Sequence, residues 1–141
     1  MTIPIACLLG FTAWAMLLVG FVGAWRTVLV VTGRVAANGF PSGTPHGSER
    51  YWRLNRAHLN AVENLPVIAT VVLVGTILGV DTPLFDRLSM FVLGARIVQS
   101  LVHIASGSKQ AVSVRFSAFA VQVLAVLWMG VEITRVSGGL R

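Results

Sequence analysis

Residues 48–66 read SERYWRLNRAHLNAVENLP, and the charge-free run Asn64–Val80 follows directly. The first half carries Arg50, Arg53, Arg56, His58, Asn60, Glu63 and Asn64, while the second is apolar enough to enter a bilayer. At ~100° per residue, Arg53, Arg56, Asn60 and Glu63 fall within about one third of a helix circumference, and His58 points elsewhere. In a water-soluble protein such a stripe would simply face solvent. Here the same helix continues as a membrane span. Ionisable groups at that depth are expensive, so they are paired and face a bundle interior or a wet cavity. The stripe is therefore the candidate functional site.

Composition places the whole chain in the same class. Of 141 residues, 55% are hydrophobic and only 11% charged. Soluble domains carry roughly a quarter charged residues. With a mean hydropathy of +0.80, the chain reads as an integral membrane protein. A net charge of +6 and a pI near 11.4 would suggest nucleic acid in a soluble chain. Here the basic residues flank apolar runs, which is the pattern of topology and anionic headgroups, so no nucleic-acid partner is expected. The single cysteine, Cys7, rules out an intramolecular disulfide and a cysteine metal site, and it reads as a small buried hydrophobe. No metal is expected.

Working outward from the stripe, the chain divides into spans of about 4–33, 49–80, 83–106 and 110–136. The first has no basic n-region and overshoots a signal-peptide core, so it stays as a span. Arg26 near its far end has two readings: it snorkels to the interface, or it projects into the bundle toward a ligand. The one real loop, GRVAANGFPSGTPHG at 33–47, is rich in helix breakers. Ser48 is placed to cap the second helix, with Glu49 in its first turn. Pro66 lies inside that helix and frees the carbonyl of Val62, so a kink is expected beside Glu63. Asp81-Thr82-Pro83 restarts a helix at once, making spans two and three antiparallel neighbours. Span three carries Arg96, Gln99, Ser100 and His103 on one face; Ser106-Gly107-Ser108 then turns into span four. The expected fold is all-α, one integral membrane four-helix bundle running up-down-up-down.

The long loop, the third connection and their flanks hold Arg34, Arg50, Arg53, Lys109 and Arg115, against Arg87, Arg135 and Arg141 on the other side. The positive-inside rule then puts loop 34–48 in the cytoplasm and both termini opposite.

Each charge at a span's centre costs roughly 2.5–3.5 kcal/mol, so Arg56, Glu63 and Arg96 unpaired would oppose insertion by roughly 7–10 kcal/mol. Counted from the turn at Asp81, Glu63 lies about 26 Å in and Arg96 about 21 Å, at ~1.5 Å per residue. The comparable depths predict a Glu63–Arg96 ion pair, serving either as interhelical structure or as part of a ligand site. Surplus arginine over acid favours an anionic ligand.

Arg56-x-x-x-Asn60-x-x-Glu63, after a basic loop and before a proline-interrupted apolar helix, resembles the second helix of the MAPEG proteins. These are the membrane-associated proteins in eicosanoid and glutathione metabolism. Arg96 with Gln99 and His103 is similar to the family's cluster on the third helix, so the likeness spans nearly the whole chain. The resemblance implies a homotrimer that binds glutathione between subunits near the cytoplasmic side, for use on a lipophilic electrophile from the membrane lipid. It implies Arg53, Arg56, His58, Asn60, Glu63, Arg96, Gln99 and His103 as glutathione-binding residues, with Glu63 on the α-amino group and arginines on carboxylates. Two positions depart from the family's pattern. Asn64 replaces the aromatic that commonly follows the motif glutamate, and no arginine falls at an unambiguous thiol-activating position on span four. The candidates there are Lys109, Ser113 and Arg115.

Three functions fit these residues. The first is a glutathione-dependent transferase or peroxidase. The second is a MAPEG-fold protein that binds a glutathione-like thiol or lipid without efficient catalysis. The third, a small four-helix transporter subunit of the multidrug exporter type, wants a carboxylate in span one, and there is none.

Overall fold

A computed structural model describes residues 1–138 as four helices: α1 (Ile3–Val31), α2 (Glu49–Ile77), α3 (Pro83–Ala105) and α4 (Lys109–Gly138). Arg141, counted above for orientation, lies outside the described residues. The shortest helix has 23 residues, which at ~1.5 Å each exceeds the ~30 Å hydrocarbon core. All four are long and apolar enough to cross a membrane, and no more than 28% of any apolar window is buried within the chain. The outer faces, with Leu9, Met16, Phe21, Leu73, Leu124 and Trp128 exposed, are therefore lipid-facing surface or subunit contact.

Consecutive helices meet end to end, which fixes the up-down-up-down course. Arg26 Nε, late in α1, donates to Tyr51 Oη in the first turn of α2 at 2.7 Å. Tyr51 is 1% exposed, and the Arg26 guanidinium carbon also lies 5.1 Å from the Phe40 ring centroid. Arg26 thus turns against the loop and the start of α2, at the loop end of the bundle. Arg53 Nε, two residues further along α2, donates to the Ile104 carbonyl at 3.2 Å. That carbonyl is one of the acceptors a helix C-terminus leaves open. α1 packs on α2 and α3, and α4 on α3 and, over a shorter length, α2.

The helix ends follow local chemistry. Ser48 Oγ accepts from Tyr51 N at 3.2 Å, and Thr82 Oγ1 from Phe85 N at 3.2 Å, as N-caps. α1 and α2 stop two or three residues before the sequence suggests, because each ends in a left-handed glycine. Gly79 has φ +69°, with Gly79 N on the Thr76 carbonyl at 3.1 Å and Val80 N on the Gly75 carbonyl at 2.9 Å. Gly33, φ +68°, closes α1 with the same pair of bonds. Hydropathy alone cannot see this stop, since Leu78 and Val80 are as apolar as the helix before them. α2 itself continues through Pro66.

Gly75 permits the tight α2–α3 crossing. A Cβ there would lie 2.5 Å from Phe85 Cζ, and the Phe85 ring is 0% exposed with no room to retreat. Gly75→Ala should lower unfolding stability in detergent by about 1–3 kcal/mol through overpacking, despite alanine's better helix propensity. Gly94→Ala, where nothing lies within 4 Å, is the control that should be neutral or stabilising in the same denaturation assay.

Candidate functional site

An open groove of about 560 Å³ runs between α2, α3 and α4 from the loop end of the bundle. Helical spacing builds it. Arg56, Asn60 and Glu63 come from α2 at i, i+4 and i+7; Gln99 and His103 come from α3 at i and i+4; Arg115 comes from α4. Arg56 and Glu63 are exposed, while Asn60, His103 and Arg115 are half-buried. Three of the stripe's four residues, Arg56, Asn60 and Glu63, thus form one wall of a ligand-sized cleft.

Arg96 lies beneath this wall, 1% exposed. Its Nη1 donates to Asn60 Oδ1 at 3.2 Å and to the Asn60 carbonyl at 3.4 Å. Its guanidinium carbon lies 5.4 Å from the Phe11 ring centroid on α1, a cation–π distance. The expected Glu63–Arg96 ion pair is not formed. Among the described residues the salt bridges are Arg53–Glu49 at 3.2 Å and Arg135–Glu132 at 3.9 Å. Comparable depth did not suffice, because Glu63 sits about 60° around α2 from Asn60 and faces the groove. Arg96 reaches α2 from the interior and meets Asn60 first.

Gln99 is 3% exposed and engaged at both ends of its amide. Nε2 donates to the Arg115 carbonyl at 3.0 Å, and Oε1 accepts from Gln122 Nε2 at 3.2 Å. Gln99 therefore clamps α4 against α3 and holds the turn that carries Arg115. Asn64 Nδ2 donates to Asn60 Oδ1 at 3.1 Å, so Asn60 Oδ1 serves two donors at once.

The remaining candidate residues sit elsewhere in the bundle. Arg53 is held by Glu49 and Ile104, away from the groove wall. His58 is half-buried off the groove with Nδ1 unpartnered. Ser113 lines a separate apolar cleft between α3 and α4 with Phe91 and Val98, and its Oγ donates to the Lys109 carbonyl at 3.1 Å. Lys109 is exposed at the start of α4. Of the three thiol-activating candidates, Arg115 is the one on the groove. Phe116 and Phe119, which the sequence does not single out, supply the groove's apolar side. Gln122 could have been found from the sequence, since an amide in the middle of an apolar span is signal enough.

Fold and groove together define a polytopic helical membrane protein with a charged, ligand-sized cleft at one end. The family profile of MAPEG matches residues 5–134. The chain belongs to the MAPEG family, and so to integral membrane proteins of the glutathione and eicosanoid metabolism type. No curated protein matches it.

Proposed function

We propose that the groove binds glutathione, and that the protein is a glutathione-dependent transferase or peroxidase acting on lipophilic electrophiles from the bilayer. The observation that carries this is the groove's charge set. Arg56 and Arg115 offer two cations and Glu63 one carboxylate, on a cleft of about 560 Å³. Glutathione carries two carboxylates and one ammonium, the complementary set, and pockets of ~300–1,000 Å³ suit ligands of its size. Arg56 and Glu63 are exposed on a span, where lipid would be a costly neighbour. A homotrimer in which a second copy closes the groove removes that cost. Arg115 is the cation placed to favour the thiolate, since a nearby guanidinium lowers a thiol's pKa.

Titrating glutathione into the purified protein while following thiolate absorbance tests the reading. Saturable binding with a thiolate signal that Arg115→Gln removes is the expected result. Binding without any thiolate would support a thiol-binding protein without efficient catalysis, and no binding would overturn the proposal.

We further place the groove and long loop on the cytoplasmic side. Cysteines at Ser42 and Asp81, each in a Cys7→Ser background, should label from opposite faces, Ser42→Cys from the cytoplasm. Ser42 is preferable to Gly43, whose φ of +76° strains any side chain. Labelling of both from one face would contradict the course of α2.

A further inference from the structure

Two buried amides link the interior of the bundle to the groove. Gln122 lies on α4, 3% exposed and two turns beyond Arg115. Its Nε2 donates to the Ala118 carbonyl at 3.0 Å and to Gln99 Oε1 at 3.2 Å. Gln99 on α3 then donates from Nε2 to the Arg115 carbonyl at 3.0 Å. A backbone carbonyl stands at each end of this chain, and a carbonyl only accepts. Neither amide can therefore be flipped. Gln122 must present its NH2 to Gln99, and Gln99 must present its own to Arg115.

Positions 115 and 122 are seven residues apart, so both fall on one face of α4, about 10.5 Å from each other along its axis. Gln99 thus grips α4 at two heights, which fixes the rotation of that stretch as well as its distance from α3. Arg115, Phe116 and Phe119, which α4 gives to the groove, all lie on this stretch. An apolar side chain of similar length would also fill position 122 in an apolar span. What the amide adds is a bond of fixed direction.

We propose, resting on the thiol reading of the groove, that Gln122 is a positioning residue. It orients the Gln99 amide, which holds the Arg115 turn with its guanidinium toward the sulfur of bound glutathione. When the thiol ionises, its proton leaves to solvent and the charge left on sulfur faces Arg115. Without the Gln122 donor, Gln99 Oε1 is buried and unpaired, the Gln99 amide is free to turn, and the Arg115 turn is free to shift. A charge interaction weakens with distance, so the thiolate suffers. The charged ends of the tripeptide do not, because Arg56 and Glu63 on α2 take them.

The test follows thiolate absorbance of bound glutathione against pH for wild type, Gln122→Met, Arg115→Gln and the double variant. Gln122→Met should move the titration to higher pH and lower the thiolate fraction near neutral pH by roughly three- to tenfold. S-methylglutathione, which has the same charged ends and no ionisable thiol, should bind this variant within about twofold of wild type. In the Arg115→Gln background the same change should move the titration no further, because the cation it positions is gone. Gln122→Asn keeps an amide in the span but stops one methylene short of Gln99. It should give the same shift, and it serves if Gln122→Met does not fold. A wild-type thiolate that Arg115→Gln removes and both Gln122 variants leave in place would overturn the proposal and spare the thiol reading. So would an equal shift in both backgrounds, or a loss of S-methylglutathione affinity as large as the loss of thiolate; either would make Gln122 a general support of the bundle. No Arg115-dependent thiolate on the wild type would overturn the thiol reading itself, and this proposal with it.

Discussion

Asn60→Leu is expected to destabilise the solubilised protein by about 1.5–3 kcal/mol, the cost of removing an acceptor from a charged donor. Asn60 Oδ1 accepts from Arg96 Nη1 at 3.2 Å and from Asn64 Nδ2 at 3.1 Å. Leucine leaves the Arg96 cation, 1% exposed, with the Asn60 carbonyl at 3.4 Å as its remaining acceptor on α2. Arg96→Met should cost less. It removes the buried charge, fills similar volume, and leaves Asn60 still bonded to Asn64. The double variant Asn60→Leu with Arg96→Met should recover most of the loss of Asn60→Leu, giving a coupling well outside additivity. Unfolding of the four proteins in mixed micelles by denaturing detergent measures all of this. A larger loss for Arg96→Met than for Asn60→Leu would show that the cation is itself stabilising, through Phe11 and α1, and that Asn60 is incidental.

The contrast between this bond and the expected Glu63–Arg96 pair shows what a sequence supplies about such a site. Rise per residue is the same in every helix, so depth along the bundle can be counted from the turn at Asp81. Rotation about the axis cannot. It depends on how far the polar face of α3 turns toward α2 rather than α4, and helical spacing within one span does not fix that. A 60° difference between Asn60 and Glu63 on α2, roughly, then decides which residue Arg96 meets. The same ambiguity hides Gln99's part as an interhelical clamp, because spacing puts Gln99 and His103 on one face without saying how deep each is buried.

Other features are legible because their cause is local. The caps at Ser48 and Thr82 depend on a hydroxyl before a helix start, and the α2–α3 turn on Asp81-Thr82-Pro83. The stripe Arg56, Asn60 and Glu63 lines one groove because its spacing alone dictates a common face. Arg53 shares that angular sector yet leaves the groove, since one turn nearer the helix start the C-terminal carbonyls of α3 lie within its reach. Phe116 and Phe119 are illegible for the opposite reason: among the many apolar residues of span four nothing marks these two as the ones that meet a cleft.

Arg56→Ala should weaken glutathione binding by about 1.5–3 kcal/mol, the range for a hydrogen bond to a charged group, or roughly ten- to 150-fold in Kd. Arg56 is exposed on the groove wall, and among the described residues no carboxylate lies within salt-bridge distance of it. Its fork of donors is therefore available to a ligand carboxylate entering from the loop end. Arg56→Lys should restore only part of the affinity, because an ammonium cannot make the two parallel bonds of a guanidinium. Neither change should alter the bundle's own stability, since Arg56 takes no part in the hydrogen bonds that join the helices. Isothermal titration of wild type and both variants, with a thermal melt of each, separates ligand contact from scaffold. A lowered melting temperature with glutathione affinity unchanged in the surviving protein would make Arg56 a subunit-contact residue. The charge match between groove and tripeptide would then lose its principal cation, and the thiol reading would fall with it.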